Sequence, residues 1–189
     1  MQNFPPMSLP AAITASLAPG EEILWHGRPR PYVFMLRGLT SIFYGMTWSI
    51  LGAFWYHGAG GIGEYSAFEG WWRLVPLLSL PFILCGFSFF FYPINLGARA
   101  RHTWYVVTNQ RVFIARLHGQ KPPELRVFTR EEMGMGPPHV VKRLDGLYEI
   151  VLTRSAQGKP YLIPRLESGF FGIKDGEAAA VAIRAVMEQ

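Results

Sequence analysis

The segment GAGGIG at positions 58–63 fits G-x-G-x-x-G, the spacing with which a strand–helix turn cradles a pyrophosphate. That chemistry needs a strand before the glycines and a helix N-terminus after them. Here they follow a long uncharged segment, so they read as a flexible loop. Gly119-Gln120-Lys121 lacks the spacing and the Ser/Thr of a P-loop. The histidines His26, His57, His102, His118 and His139 are scattered, with no pair at helical metal-ligand spacing. Glu131 and Glu132 are adjacent, so their carboxylates point apart and read as a solvated charge pair rather than an acid/base couple. No G-x-S-x-G elbow is present. The single cysteine, Cys85, excludes an internal disulfide framework and a multi-cysteine metal site, and in its apolar run it reads as a small hydrophobe. The expectation is a non-enzymatic protein with no catalytic residues, no cofactor and no metal. A site assembled from distant residues stays open at this level.

The remaining candidates are cations. Arg28 and Arg30 precede, and Arg99 and Arg101 follow, a block of 61 residues between Arg37 and Arg99 that carries three charges, Glu64, Glu69 and Arg73. These four arginines are the expected contacts to anionic headgroups, with the setting of topology as their alternative role. Charged residues make up 16% of the chain and hydrophobic ones 50%, which argues against one uniformly soluble globule.

Two segments in the block could span a bilayer, about 39–57 and 74–96, because some 20 apolar residues rising about 1.5 Å each cover the hydrocarbon core. Trp48, Trp55, Tyr56, Trp71 and Trp72 include rings near the expected outer boundary. Pro76 and Pro81 in the second segment read as kinks. Ser41, Gly45, Ser49 and Ala53 recur every four residues and are expected to pack against the second segment, with a homo-oligomer through the same stripe as the alternative. The loop 57–72 carries Glu64 and Glu69 but no Lys or Arg, so the flanking arginines put both termini on the cytoplasmic side. No ionisable residue lies deep in either segment, which argues against an ion path. The start of the chain lacks a basic residue before Arg28 and is not expected to be a cleaved signal peptide.

Three parts follow: an interfacial segment 1–37, a helical hairpin 38–98 and a cytoplasmic domain 99–189. The last part holds 14 basic and nine acidic residues. Without a Lys/Arg run or a nucleic-acid motif, this excess points to an anionic membrane surface rather than to nucleic acid. Strands are expected at 103–108, 111–117, 124–130, 139–144, 147–153 and 160–166, with turns at Asn109-Gln110 and Asp145-Gly146. Tyr148, Ile150 and Leu152 alternate onto one face, with Glu149 on the other. Asp175 is expected to cap a helix running to about Met187, with Ala179, Ala182, Ile183 and Val186 as its apolar stripe.

PGEEILWHGRP at 19–29, YVVTNQRVFI at 105–114, DGLYEIVL at 145–152 and GFFGIKD at 169–175, the last opening the final helix, carry a resemblance. The chain resembles the bacterial pleckstrin-homology (PH)-like membrane proteins. That likeness implies an α+β membrane protein in which a transmembrane hairpin leads into a small antiparallel PH-like domain with a C-terminal helix. It implies a scaffold or interaction module of the inner membrane whose partners are membrane lipids and a membrane or membrane-proximal protein, without shared catalytic residues. Tyr105, Thr108, Asn109 and Arg111 match its most recognisable motif, with Asn109 read as a turn former and Arg111 as a strand-end charge. Lipid or small-ligand binding at the membrane surface is the alternative function.

Overall fold

A computed structural model of the chain describes residues 9–59, 70–119, 121–133, 138–153 and 168–188. In chain order the elements are α1 (Ala11–Thr14), β1 (Ile23–Gly27), α2 (Pro31–Gly38), α3 (Thr40–Gly58), a 3-10 helix (Gly70–Ser79) and α4 (Leu80–Arg101). There follow β2 (Thr103–Thr108), β3 (Val112–Arg116), β4 (Glu124–Phe128), α5 (Arg130–Met133), β5 (His139–Lys142), β6 (Tyr148–Val151), β7 (Gly169–Ile173) and α6 (Gly176–Met187). The chain divides into two compact units, one joining Met1–Val33 to Arg99–Gln189 and the other formed by Phe34–Ala98.

The first unit is α+β, with an antiparallel sheet in the order β1-β2-β3-β4 and a second in the order β5-β6-β7. All six residues of β2 are buried because both of its faces are covered. Tyr105 and Val107 join Val112, Ile114, Phe128, Ile150, Phe170 and Ile173 in the main core, which Ala179, Ala182 and Ile183 of α6 close. Trp104 and Val106 point the other way, into a second cluster with Phe113, Ala115 and Ile13. Phe170 stacks between Tyr105 at 4.5 Å and Trp25 at 5.7 Å.

The N-terminal segment is thus part of the first unit. Ile23–Gly27 forms an edge strand antiparallel to β2, and Ile13 plugs the second cluster. GFFGIKD also differs from expectation, since its first five residues form β7 rather than opening the helix. Its glycines hide the strand signal but make its packing feasible. A Cβ on Gly169 would run into the Ile150 carbonyl, and Gly172 takes φ +67° against Val33. α6 begins as expected after Asp175, although the Asp175 side chain makes no capping hydrogen bond. The expected strand 160–166 and most of the glycine loop lie outside the described residues.

In the second unit α3 packs against α4 through small residues. Ser41 Oγ donates to the Phe89 carbonyl at 2.9 Å, and a Cβ on Gly45 would come within 2.8 Å of the Gly86 carbonyl. Gly52, whose Cβ would meet Ile83 at 2.7 Å, takes the place expected of Ala53, which is exposed. A step of seven from Gly45 to Gly52 is two helical turns and keeps the contact on one face better than a step of eight. Pro81 sits at the junction of the 3-10 helix, which holds Pro76, with α4. Around this seam the surface is apolar: Phe43 is 70% exposed, Phe54 77% and Leu84 67%.

Among the described residues one helix, Leu74–Arg101, is long and apolar enough to cross a membrane. It has 28 residues, and its most apolar window has a mean hydropathy of 2.2 and is 17% buried. α3 has no charged residue over 19 residues, but Thr40, Ser41, Thr47, Ser49 and its Tyr and Trp rings lower its hydropathy. Length and composition among the described residues thus mark one span where the sequence led to an expectation of two.

Candidate functional site

The four arginines lie in the first unit and have different surroundings. Arg28 follows β1, is half-buried and stacks its guanidinium 4.7 Å over the Trp104 ring. Its Nη2 donates to the Arg101 carbonyl. A helix leaves its last carbonyls without N–H partners, and Arg28 supplies one at the end of α4 while tying it to the exit of β1. The Arg99 carbonyl is satisfied in turn by Thr103 Oγ1 at 2.9 Å. Arg28 therefore has a built structural role. The side chains of Arg99 and Arg101 are exposed in the last turn of α4, where cations are favoured by the helix dipole. Arg30 is exposed as well, and its N–H donates to the Gly172 carbonyl at 3.0 Å. Among the described residues, the guanidiniums of Arg30, Arg99 and Arg101 have no ion-pair partner.

Arg30 borders a second cluster. Tyr32 Oη donates to Asp145 Oδ2 at 2.8 Å, and Arg143 lies 3.4 Å from Asp145 and 2.8 Å from Glu149. The hydrogen bond to Asp145 holds the Tyr32 hydroxyl above its ordinary pKa, and the same bond holds Asp145 below its own. The Asp145-Gly146 turn is formed as expected, with Gly146 at φ +78° and the Leu147 N–H on Asp145 Oδ1. The sequence pointed to the turn but not to its tie, 113 residues away, to Tyr32.

The motif residues of the β2–β3 hairpin form a clamp on the N-terminal segment. Glu21 has a fully buried carboxylate, which accepts from Arg111 Nε at 2.8 Å, Arg111 Nη2 at 2.9 Å, Thr108 Oγ1 at 2.7 Å and the Ala18 N–H at 2.7 Å. Burial pushes this carboxyl up, but the bonds from Arg111, Ala18 and Thr108 and the Arg111 charge outweigh it and hold it below its ordinary 4.5. Asn109 Oδ1 accepts the Glu22 N–H at 2.9 Å, and its Nδ2 donates to the Gly20 carbonyl at 3.3 Å. PGEEILWHGRP and YVVTNQRVFI are thus two halves of one contact, so Asn109 and Arg111 do more than form a turn and end a strand. Glu21 is not legible as this partner in the sequence, since nothing local marks a contact across 90 residues.

Glu132 accepts from Arg126 at 2.7 Å, a structural role for one member of the adjacent carboxylate pair. Among the described residues no group of three or more His, Cys, Asp or Glu side chains could hold a metal ion. Cys85 is exposed on α4. No protein-family model, curated protein or solved structure matches this chain.

Proposed function

We propose that this chain is a non-enzymatic protein of the bacterial inner membrane, in which a two-helix hairpin anchors a PH-like domain on the cytoplasmic side for interaction with a protein of a membrane complex. The observation that carries this reading is the insertion of Phe34–Ala98, with its apolar exterior, between Val33 and Arg99 of one α+β unit. A domain joined to its anchor at both ends stays at the membrane surface, which raises its effective concentration for membrane neighbours.

The helix Leu74–Arg101 supports an anchor, because the core helix of a soluble protein is mostly buried and the window here is 17% buried. α3, at about 1.5 Å per residue, reaches about 28 Å and can serve as the second span, with Phe43 and Phe54 toward lipid. Arg28, Arg30 and Arg37 before the hairpin and Arg99 and Arg101 after it favour cytoplasmic termini. Antiparallel sheets closed by α6 agree with the PH-like resemblance. The exposed Arg30, Arg99 and Arg101 favour a second reading, recognition of anionic lipid.

In-cell crosslinking of tagged full-length protein, followed by mass spectrometry of the membrane fraction, tests both. A stoichiometric protein crosslinked to the first unit is the expected result. Recovery of only the chain itself and lipid transfers the function to lipid recognition or self-assembly. Release from membranes by alkaline carbonate would refute the anchor.

A further inference from the structure

We infer that the β5–β6 turn is a membrane-contact point that dips Leu144 into an anionic lipid surface beside the place where the chain enters the bilayer. The inference rests on the anchored reading above and adds a contact that its arginines alone do not provide.

Leu144 is the most exposed large hydrophobic residue described, with its whole side chain open to solvent. The turn does not need it, because Asp145 and Gly146 already supply the side-chain hydrogen bond and the positive φ. Lys142 and Val141 beside it are exposed too. The turn is held in place by the Tyr32–Asp145 hydrogen bond of 2.8 Å. Tyr32 lies in α2 (Pro31–Gly38), the helix that directly precedes α3. The turn is therefore one side-chain contact from the helix whose chain continues into the anchor.

Charge points the same way. Arg30, Lys142 and Arg143 outnumber Asp145 and Glu149 around the turn, and both carboxylates are engaged by Arg143. An apolar tip among cations is the combination that an anionic interface takes up, by burial of the leucine and attraction of the cations.

The test uses full-length Cys85→Ser, Leu144→Cys protein, with an environment-sensitive NBD fluorophore on the new thiol, in lipid nanodiscs. The discs contain phosphatidylcholine with or without phosphatidylglycerol, and headgroup-region spin-labelled lipid is the quencher. Both substituted positions are exposed, so the fold is retained. The expected result is a blue-shifted emission and several-fold quenching, stronger with phosphatidylglycerol. Water-like, unquenched emission in protein that has entered the discs overturns the inference and leaves the anchor standing. Failure to enter discs overturns the anchored reading and the inference together. Shielding that follows protein density rather than lipid charge assigns the tip to a second copy of the chain and also overturns it.

Discussion

Replacing Glu21 by alanine removes four hydrogen bonds at once and leaves the Arg111 guanidinium, 28% exposed, facing a buried gap. Breaking a fully buried ion pair from one side costs about 3–5 kcal/mol. Arg111 reaches solvent and can rehydrate in part, so a cost of about 2–3 kcal/mol is expected, in the range of a charged hydrogen bond lost to a buried partner. For a unit of this size that corresponds to a fall in Tm of roughly 6–15 °C. The assay is thermal unfolding of the full chain in detergent micelles, with hydrogen exchange of β1 and β2 amides to assign the loss to the first unit. Arg111→Met and the double variant complete a cycle, in which the second substitution should add little to the first. The pH dependence follows from the lowered Glu21 pKa. The contribution of the carboxylate is full above its ordinary 4.5 and disappears as pH falls through the lower folded-state value. The stability difference between wild type and Glu21→Ala should thus narrow as pH falls below 4.5. A loss under about 0.5 kcal/mol at neutral pH, the size of an ordinary surface substitution, would refute the clamp.

Gly86→Leu should open the α3–α4 seam, because even a Cβ there meets Ser49 and lies 2.8 Å from the Gly45 carbonyl. Disulfide trapping between Ser41→Cys and Phe89→Cys in a Cys85→Ser background should fall several-fold in that variant. Gly172→Ala should destabilise the first unit by about 1–3 kcal/mol, as a non-glycine residue at φ +67° is strained and its Cβ would press to 3.0 Å on Val33. Hydrogen exchange in β7 reads this loss. Joining residue 33 to residue 99 by a short Gly/Ser linker should give a folded domain without the apolar unit. Residues 99–189 alone should fail to fold, because β1 and Ile13 are missing; circular dichroism and dispersion of NMR amide signals distinguish the two.

Where one element carries its own pattern, the sequence was a reliable guide. Tyr148, Ile150 and Leu152 do face the core or pack on it, Glu149 pairs with Arg143 on the other side, and Ala179, Ala182 and Ile183 are buried in α6. β1 and β7 were missed because five residues containing glycine show little periodicity, and their strand character comes from the partners they pair with. The arginines were visible as a class, but their roles were not. What separates Arg28, bonded to the end of α4, from Arg30, Arg99 and Arg101 is a contact across 73 residues. The same holds for Glu21 with Arg111 and for Tyr32 with Asp145, polar pairs that the fold alone brings together.

On the function proposed for this chain, the apolar unit is a membrane hairpin inserted in a cytoplasmic domain. Single-cysteine labelling in intact cells tests it most directly, with His57→Cys at the end of α3 and Asp175→Cys before α6, each exposed and each in a Cys85→Ser background. The hairpin predicts that a membrane-impermeant maleimide, given access to the periplasm, labels position 57 in intact cells and position 175 only after lysis. Labelling of both positions from the same side would contradict it.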